Sequence, residues 1–439
     1  MYTMGIPFYF MSLIKAHKGI VQTVKRHTPL QVDVLGIDFN CLIHRYLQDN
    51  QPVESVVQAL ATILEHTCKA KQVIIALDGL GPYAKIVQQR YRRMAIKTET
   101  SDFDRTQISP DTPYMRELEA ALKSKFPSAI FTGTQDPGEG EHKLIAELKH
   151  IPANQRRSIC IYGLDADLIL ISLQNHKLSL PHSMYLLRES SEFNDPSNVA
   201  QFSTLSVWKL LQQLPLELDQ YMALSMICFG NDFMPNLAMF SLREGGYDRA
   251  LHMYSESGRP DLTTVQGRRQ FLEYAGKKEL EVLSERISLR KRPEEKAILG
   301  QNMSQKYGVH VLDGIRDMKP VVDAFWKTFH WTHSYFYNNL TTNWGWVYPY
   351  ADAPLICDIL KYQESPAIGP ASLNFTISDQ LSFILPHPSL LKAKRRVRYE
   401  DEMYSETRNP WMKRHDWEMK PYVSLPWNPT YHLTSVSLL

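Results

Sequence analysis

Short apolar runs in the first 240 residues each end in a carboxylate or lead closely into one, and helix-like segments separate them. The runs are 32–39 (VDVLGIDF), 72–78 (QVIIALD), 128–133 (SAIFTG) and 158–165 (SICIYGLD), with VESVVQALATILEHTCK at 53–69 as an intervening helix. Such alternation predicts an α/β fold in which a mainly parallel, twisted sheet is flanked by crossover helices. Functional groups in open parallel sheets gather at the carboxyl ends of the strands. Asp38, Asp78, Asp136 with Glu139, and Asp165 with Asp167 are therefore predicted to converge along one edge.

A chain of 439 residues that is 44% hydrophobic can bury a large core, as one big domain or as two to three fused ones. The sequence divides into a core at 1–240, a polar helical insertion or linker at 241–320, and an aromatic-rich closing lobe with a tail at 321–439. Residues 325–362 are too rich in rings for a surface loop and too irregular for one helix, so most of the rings should be packed. With 49 basic and 47 acidic residues there is no general basic coat, and binding to nucleic acid would need local segregation of charge. The run KAKRRVR at 392–398 reads first as a solvated segment, and otherwise as a backbone-tracking patch or a nuclear address. The scattered cysteines, Cys41, Cys68, Cys160, Cys228 and Cys357, form no CxxC pair and have an odd total, which argues against a disulfide framework or a zinc knuckle and for a reducing compartment. No stretch approaches the roughly 20 apolar residues of a membrane helix, and the first residues lack the pattern of a secretion signal. The expected location is cytoplasmic, with the nucleus open and secretion excluded.

The strongest chemical signal is acidic: Asp38, Asp78, Glu139, Glu141, Asp165, Asp167 and Asp232. Magnesium or manganese takes hard oxygen ligands, and a pair of such ions needs carboxylates from several segments because each ion also keeps waters and substrate oxygens. Taken singly, each acid reads as an ordinary loop or helix-cap residue. In Asp136-Pro137-Gly138-Glu139-Gly140-Glu141, however, the glycines let two near-adjacent carboxylates aim at one spot, just before a run (KLIAELK) that reads as a helix.

A basic segment follows Asp78. DGLGPYAKIVQQRYRR at 78–93 reads as a turn and then a helix whose spacing puts Lys85, Gln89, Arg92 and, by its long arm, Arg93 on one side. Guanidinium groups favour bidentate contacts to phosphate, so this face suits a terminal phosphate beside the acids, against the plainer reading of a solvated basic face.

Here the resemblance becomes specific. MGIPFYF (4–10), IDFNCLIH (37–44), DGLGPYAKIVQQRYRR (78–93), FDRTQISPDTPYM (103–115), DPGEGEHK (136–143), YGLDADLI (162–169) and GNDFMPNL (230–237) resemble, in order, the signature blocks of the Xrn family of 5′→3′ exoribonucleases. WGWVYPYADAPLICDI (344–359) and ISDQLSFILP (377–386) continue the match. The resemblance implies a PIN/FEN-like nuclease core under a helical, aromatic-rich second lobe. It also implies that the seven acids are catalytic metal ligands for two Mg2+ ions, with Mn2+ able to substitute. Lys85, Gln89, Arg92 and Arg93 would then hold a 5′-monophosphate, His44 would stack on the first base, and Trp344 or Trp346 would pin the terminal nucleotide. By residue type alone, His44 reads as an interior histidine and the tryptophans as packed core.

Three departures stand out: a short segment between GNDFMPNL and WGWVYPY, an early end after FILP, and Met11 where the family carries a basic residue. The expected function is hydrolysis of single-stranded RNA bearing a 5′-monophosphate, releasing nucleoside 5′-monophosphates by two-metal catalysis. The alternatives are a flap-endonuclease-like DNA nuclease and a catalytically silent RNA-binding scaffold.

Overall fold

The computed structural model describes residues 6, 8–25, 28–94, 103–189, 201–288, 300–310, 312, 315–338, 342–350, 352–372 and 374–385, with a short strand pair at 397–398 and 437–438. Of Tyr91 to Met94 only the helical backbone is described. Apart from that strand pair, the KAKRRVR run and the tail lie outside the described residues.

Seven strands form the main sheet: β1 (Val21–Thr23), β2 (Leu30–Asp38), β3 (Cys68–Ala76), β4 (Ile130–Thr132), β5 (Ile159–Tyr162), β6 (Met184–Glu189) and β7 (Phe202–Ser206). Their order is β1-β7-β6-β5-β2-β3-β4. Strands β6, β5, β2, β3 and β4 run parallel, and β7 and β1 add an antiparallel edge. The four apolar runs supply β2, β3, β4 and β5, so the mainly parallel α/β expectation holds.

The helices are α1 (Tyr9–Ala16), α2 (Phe39–Tyr46), α3 (Glu54–His66), α4 (Tyr83–Met94), α5 (Pro113–Lys125), α6 (Gly140–His150), α7 (Asp167–Gln174), α8 (Val207–Gln213), α9 (Leu218–Phe229), α10 (Gly246–Glu256), α11 (Val265–Ser288), α12 (Met303–His310), α13 (Lys319–Asn338), α14 (Ile356–Ile359) and α15 (Ile377–Ile384). No described helix is long and apolar enough to cross a membrane. Strand alternation divides the interior into two layers. Ile74, Ala76, Ile159 and Ile161 enter the layer that holds α6, α7 and α9. Ile75, Cys160 and Tyr162 enter the layer of α2, α3 and α5.

The aromatic segment resolves into two parts. Its first half is one helix, α13, that buries Phe325, Trp326, Phe329, Trp331, Tyr335 and Phe336, and its second half is largely irregular. The stretch as a whole is thus not one helix, as expected, although its first half is helical and buries rings on more than one side rather than along a single apolar stripe. Helix α11 buries Phe271, Leu272, Ala275 and Leu283 in the layer that also receives α13. Its Glu279 accepts from the backbone N–H groups of Ile356 (2.8 Å) and Cys357 (3.1 Å), satisfying donors at the start of α14.

Candidate active site

Strand β2 delivers Asp38 as its last residue, and Asp78 follows β3 by two residues. Glu139 is the N-cap of α6, Glu141 lies in that helix's first turn, and Asp165 and Asp167 bracket the step from β5 into α7. Asp232 arrives on a tight turn after α9. There Gly230 has φ 63°, and a Cβ on it would lie 2.3 Å from the carbonyl oxygen of Met234, so only glycine fits. Asn231 Oδ1 accepts from the backbone N–H of Phe233 (2.9 Å) and Met234 (3.1 Å), closing the turn around Asp232.

Close approach of α6 gathers the first acids. The Gly140 N–H donates to Asp78 Oδ1 at 2.8 Å, and a Cβ at Gly140 would sit 2.9 Å from Asp38 Oδ1. Asn40 Nδ2 donates to Asp78 Oδ2 (2.9 Å) and the Cys41 thiol donates to Asp38 Oδ2 (2.8 Å), so the first turn of α2 orients both aspartates. Ligand-capable atoms of Asp38, Asp78 and Glu141 all lie within 4.8 Å of one another, as do those of Glu139, Glu141 and His142.

The electrostatics tie all seven acids into one site. Burial, followed by the charges of Asp78 and Asp165, raises the Asp38 carboxyl to about 7. Burial and Glu139 lift Glu141 well above the ordinary range, and burial with Asp165 and Asp232 does the same for Asp167. Burial also raises Glu139, against the opposing pull of Lys85. Asp167 Oδ1 is buried with no hydrogen-bond partner among the described residues. Carboxylates packed this densely, with an acceptor oxygen left unsatisfied, fit divalent cations, whose charge would offset the repulsion.

Lys85 sits inside this cluster: its ammonium pairs with Glu139 Oε2 and lies 3.8 Å from Asp232 Oδ2. Burial alone would depress that ammonium, but Glu139, Asp232, Glu141 and Asp78 outweigh it and hold the pKa above the usual lysine value. Of the other basic-segment residues, Gln89 is buried one turn along α4, whereas the side chains of Arg92 and Arg93 lie outside the described residues. His44 is exposed on the last turn of α2, the helix that starts at the residue after Asp38.

Trp344 meets α4 directly, its carbonyl accepting from the Tyr83 N–H at 2.7 Å. Trp346 is partly buried against the core and donates its indole N–H to Thr328 Oγ1 on α13 (3.0 Å). Sequence reasoning did not single out Asn40, Cys41, His142 or Tyr335 for the site. Tyr335 donates to Glu139 Oε1 at 2.7 Å, and its ring lies 4.1 Å from that of His142, centroid to centroid. Asn40, Cys41 and His142 fall inside motif blocks and so carried a positional signal, whereas Tyr335 was one ring among many.

A mainly parallel sheet flanked by helices, with acids converging at the carboxyl ends of its strands, defines the class: an α/β fold with a carboxylate cluster able to hold metal ions. Residues 4–102 and 94–190 match the family described as XRN 5′-3′ exonuclease N-terminus, so the amino-terminal part of the chain is similar to that family. Among its relatives is 5′-3′ exoribonuclease 1 of Saccharomyces cerevisiae, 29% identical over 321 residues that make up 58% of this chain and 21% of that protein. 5′-3′ exoribonuclease 2 of the same organism is 25% identical over 356 residues, 57% of this chain and 35% of that protein. The human 5′-3′ exoribonuclease 1 is 29% identical over 237 residues, 43% of this chain and 14% of that protein. The chain thus spans well under half the length of these relatives. Among solved structures, the catalytic core of Rad2 in complex with DNA substrate superposes with TM-score 0.41 at 13% identity, covering 87% of this chain and 99% of that one.

Proposed function

We propose that this chain is a metal-dependent 5′→3′ exoribonuclease that removes nucleoside 5′-monophosphates one at a time from single-stranded RNA bearing a 5′-monophosphate. The observation that carries this reading is the adjacency of the acid cluster to α4: Lys85 enters the cluster from the helix that, one turn later, carries Gln89. Similarity to the XRN 5′-3′ exonuclease N-terminus and to 5′-3′ exoribonucleases supports the polarity and the choice of RNA.

Asp38, Asp78 and Glu141 form one ligand set, and Glu139, Asp165, Asp167 and Asp232 supply the acids for a second. Two bound magnesium ions, or manganese in their place, would make a water nucleophilic at neutral pH and offset charge on the phosphate being transferred. Tyr335, Asn40 and the Gly140 N–H hold individual carboxylate oxygens in place. Lys85 supplies positive charge among the acids, and Gln89, Arg92 and Arg93 grip the terminal phosphate, so that one nucleotide lies between grip and cluster. His44 stacks on the first base. Trp344 joins it from the side of α4, whereas the tethered indole of Trp346 suits a packing role.

The test is digestion of matched RNA and DNA strands with 5′-monophosphate, 5′-triphosphate or 5′-hydroxyl ends, in magnesium and in chelator. Mononucleotides released from monophosphate RNA in magnesium alone are expected. Internal cuts in the DNA, whatever its end, would replace the reading with an endonuclease, and binding without any product would make the chain a scaffold.

A further inference from the structure

We propose that Gln380, on α15 and far from the acids in sequence, is a positioning residue that sets the polarity of the Gln89 amide and thereby the selection of 5′-monophosphate ends. The inference rests on the phosphate-pocket reading above. Its basis is a hydrogen-bond chain whose direction the backbone dictates. An amide side chain carries a donor end and an acceptor end that look alike in shape, so orientation must be read from partners whose roles are unambiguous. Gln380 has two such partners. The N–H of Gly81 can only donate, and it meets Gln380 Oε1 at 3.1 Å. The carbonyl of Gly79 can only accept, and it meets Gln380 Nε2 at 3.3 Å. With its orientation fixed by these two groups, Gln380 directs its Nε2 to Gln89 Oε1 at 3.1 Å.

Gln89 must therefore show its oxygen to Gln380 and turn its NH2 group elsewhere. That outcome suits a phosphate, whose oxygens only accept. The reversed amide would set a carbonyl lone pair against an anion. Gln380 is fully buried and Gln89 is 5% exposed, so bulk water offers little chance to scramble the arrangement.

The seat of Gln380 is itself well anchored. Thr376 and Asp379 form a reciprocal capping box at the start of α15. The Arg90 guanidinium lies 4.3 Å from the ring centroid of Phe383, locking α15 onto α4. The same Gln380 contacts also hold the 79–81 turn that leads from Asp78 to α4. The block at 377–386, which marks the family by sequence but brought no chemical role with it, acquires one here.

The experiment compares kcat/KM on 5′-monophosphate and 5′-hydroxyl RNA for the parent, Gln89→Ala, Gln380→Met, Gln380→Glu and Gln89→Ala/Gln380→Glu, with Tm recorded for each. The carboxylate introduced by Gln380→Glu accepts only, so it invites Gln89 to rotate its NH2 inward and face the pocket with oxygen. Gln380→Met keeps the volume and adds no charge, and it frees the Gln89 amide together with the Gly79 and Gly81 backbone groups. The monophosphate-to-hydroxyl ratio should fall about tenfold in Gln380→Glu and by a smaller factor in Gln380→Met, any loss from loosening the 79–81 turn falling on both RNAs and cancelling in the ratio. In the Gln89→Ala background, Gln380→Glu should change the ratio no further.

A parental ratio in both Gln380 variants, with a collapsed ratio in Gln89→Ala, overturns the inference and leaves the pocket standing. An unchanged ratio in Gln89→Ala refutes Gln89 as part of the pocket, and the inference falls with it. Equal losses on both RNAs that track Tm would make Gln380 structural only. A Gln380→Glu effect that persists without the Gln89 amide would mean simple charge repulsion, and that too overturns the inference.

Discussion

The hydroxyl of Tyr335 donates to Oε1 of Glu139 at 2.7 Å, joining a helix of the aromatic lobe to the N-cap of α6 across 196 positions of sequence. Lys85 takes the other oxygen of the same carboxylate, and the stacked indole of Trp331 (5.1 Å between centroids) backs the Tyr335 ring. Among the described residues, the lobe thus reaches the acid cluster through this hydrogen bond and through the rings of Tyr335 and Phe336 against His142. Tyr335→Phe removes that bond and keeps the ring, so activity should drop about tenfold and the magnesium requirement should rise, at a stability cost of roughly 1.5–3 kcal/mol. A magnesium titration of kcat/KM on monophosphate RNA checks this. Parental activity at every magnesium concentration would show that Glu139 needs no such support.

Asp38 gives the metal-free protein a pH dependence. Burial and its acidic neighbours raise the carboxyl to about 7 in the folded state, so between its ordinary value and about 7 the folded chain holds a proton that the unfolded chain has lost. The stability this proton carries is complete below the ordinary carboxylate range and disappears as pH rises toward 7, by an amount on the order of 4 kcal/mol. In chelator, Tm should therefore fall between about pH 4 and about pH 7 and level off above that. Asp38→Asn should flatten the slope and be more stable than the parent at the upper end, while abolishing cleavage. Magnesium, which needs ionised ligands, should stabilise the parent more as pH rises. A metal-free Tm that climbs across the window would contradict the electrostatics.

His44 is exposed on the helix that begins beside Asp38. If it stacks on the first base, His44→Ala should lose roughly 1–3 kcal/mol of substrate interaction, and His44→Tyr should retain part of it. Neither change should move Tm, since the side chain is not part of the core. Comparing KM with Tm for the two variants separates stacking from structure, and unchanged turnover in both would remove the assignment.

The two tryptophans should separate cleanly. Trp346→Phe deletes the indole N–H that bonds Thr328 and leaves that buried hydroxyl short of a donor, so it should lower Tm at a cost of about 1–3 kcal/mol while activity per folded molecule persists. Trp344 contacts α4 through its backbone, so Trp344→Ala should spare the fold and raise KM. Thermal melts alongside kinetics decide the matter. The reverse pattern would exchange the two roles.

Alternation of apolar runs was enough to locate β2, β3, β4 and β5 and to place Asp38, Asp78, Glu139, Asp165 and Asp167 at their carboxyl ends, because the strand period and the parallel crossover are local properties that side-chain order records directly. The glycines around Glu139 and Glu141 marked the start of α6 for the same reason. The antiparallel edge was not legible: β1 is three residues long and finds its partner β7 some 180 positions later, beyond the reach of any periodicity. Nor did composition reveal that Lys85 lies within the acids, that Tyr335 holds Glu139, or that Gln380 faces Gln89. Helical spacing states which residues share a face but not what that face meets. For a buried amide or carboxylate the partner decides the chemistry, and here those partners come from helices that only packing brings together.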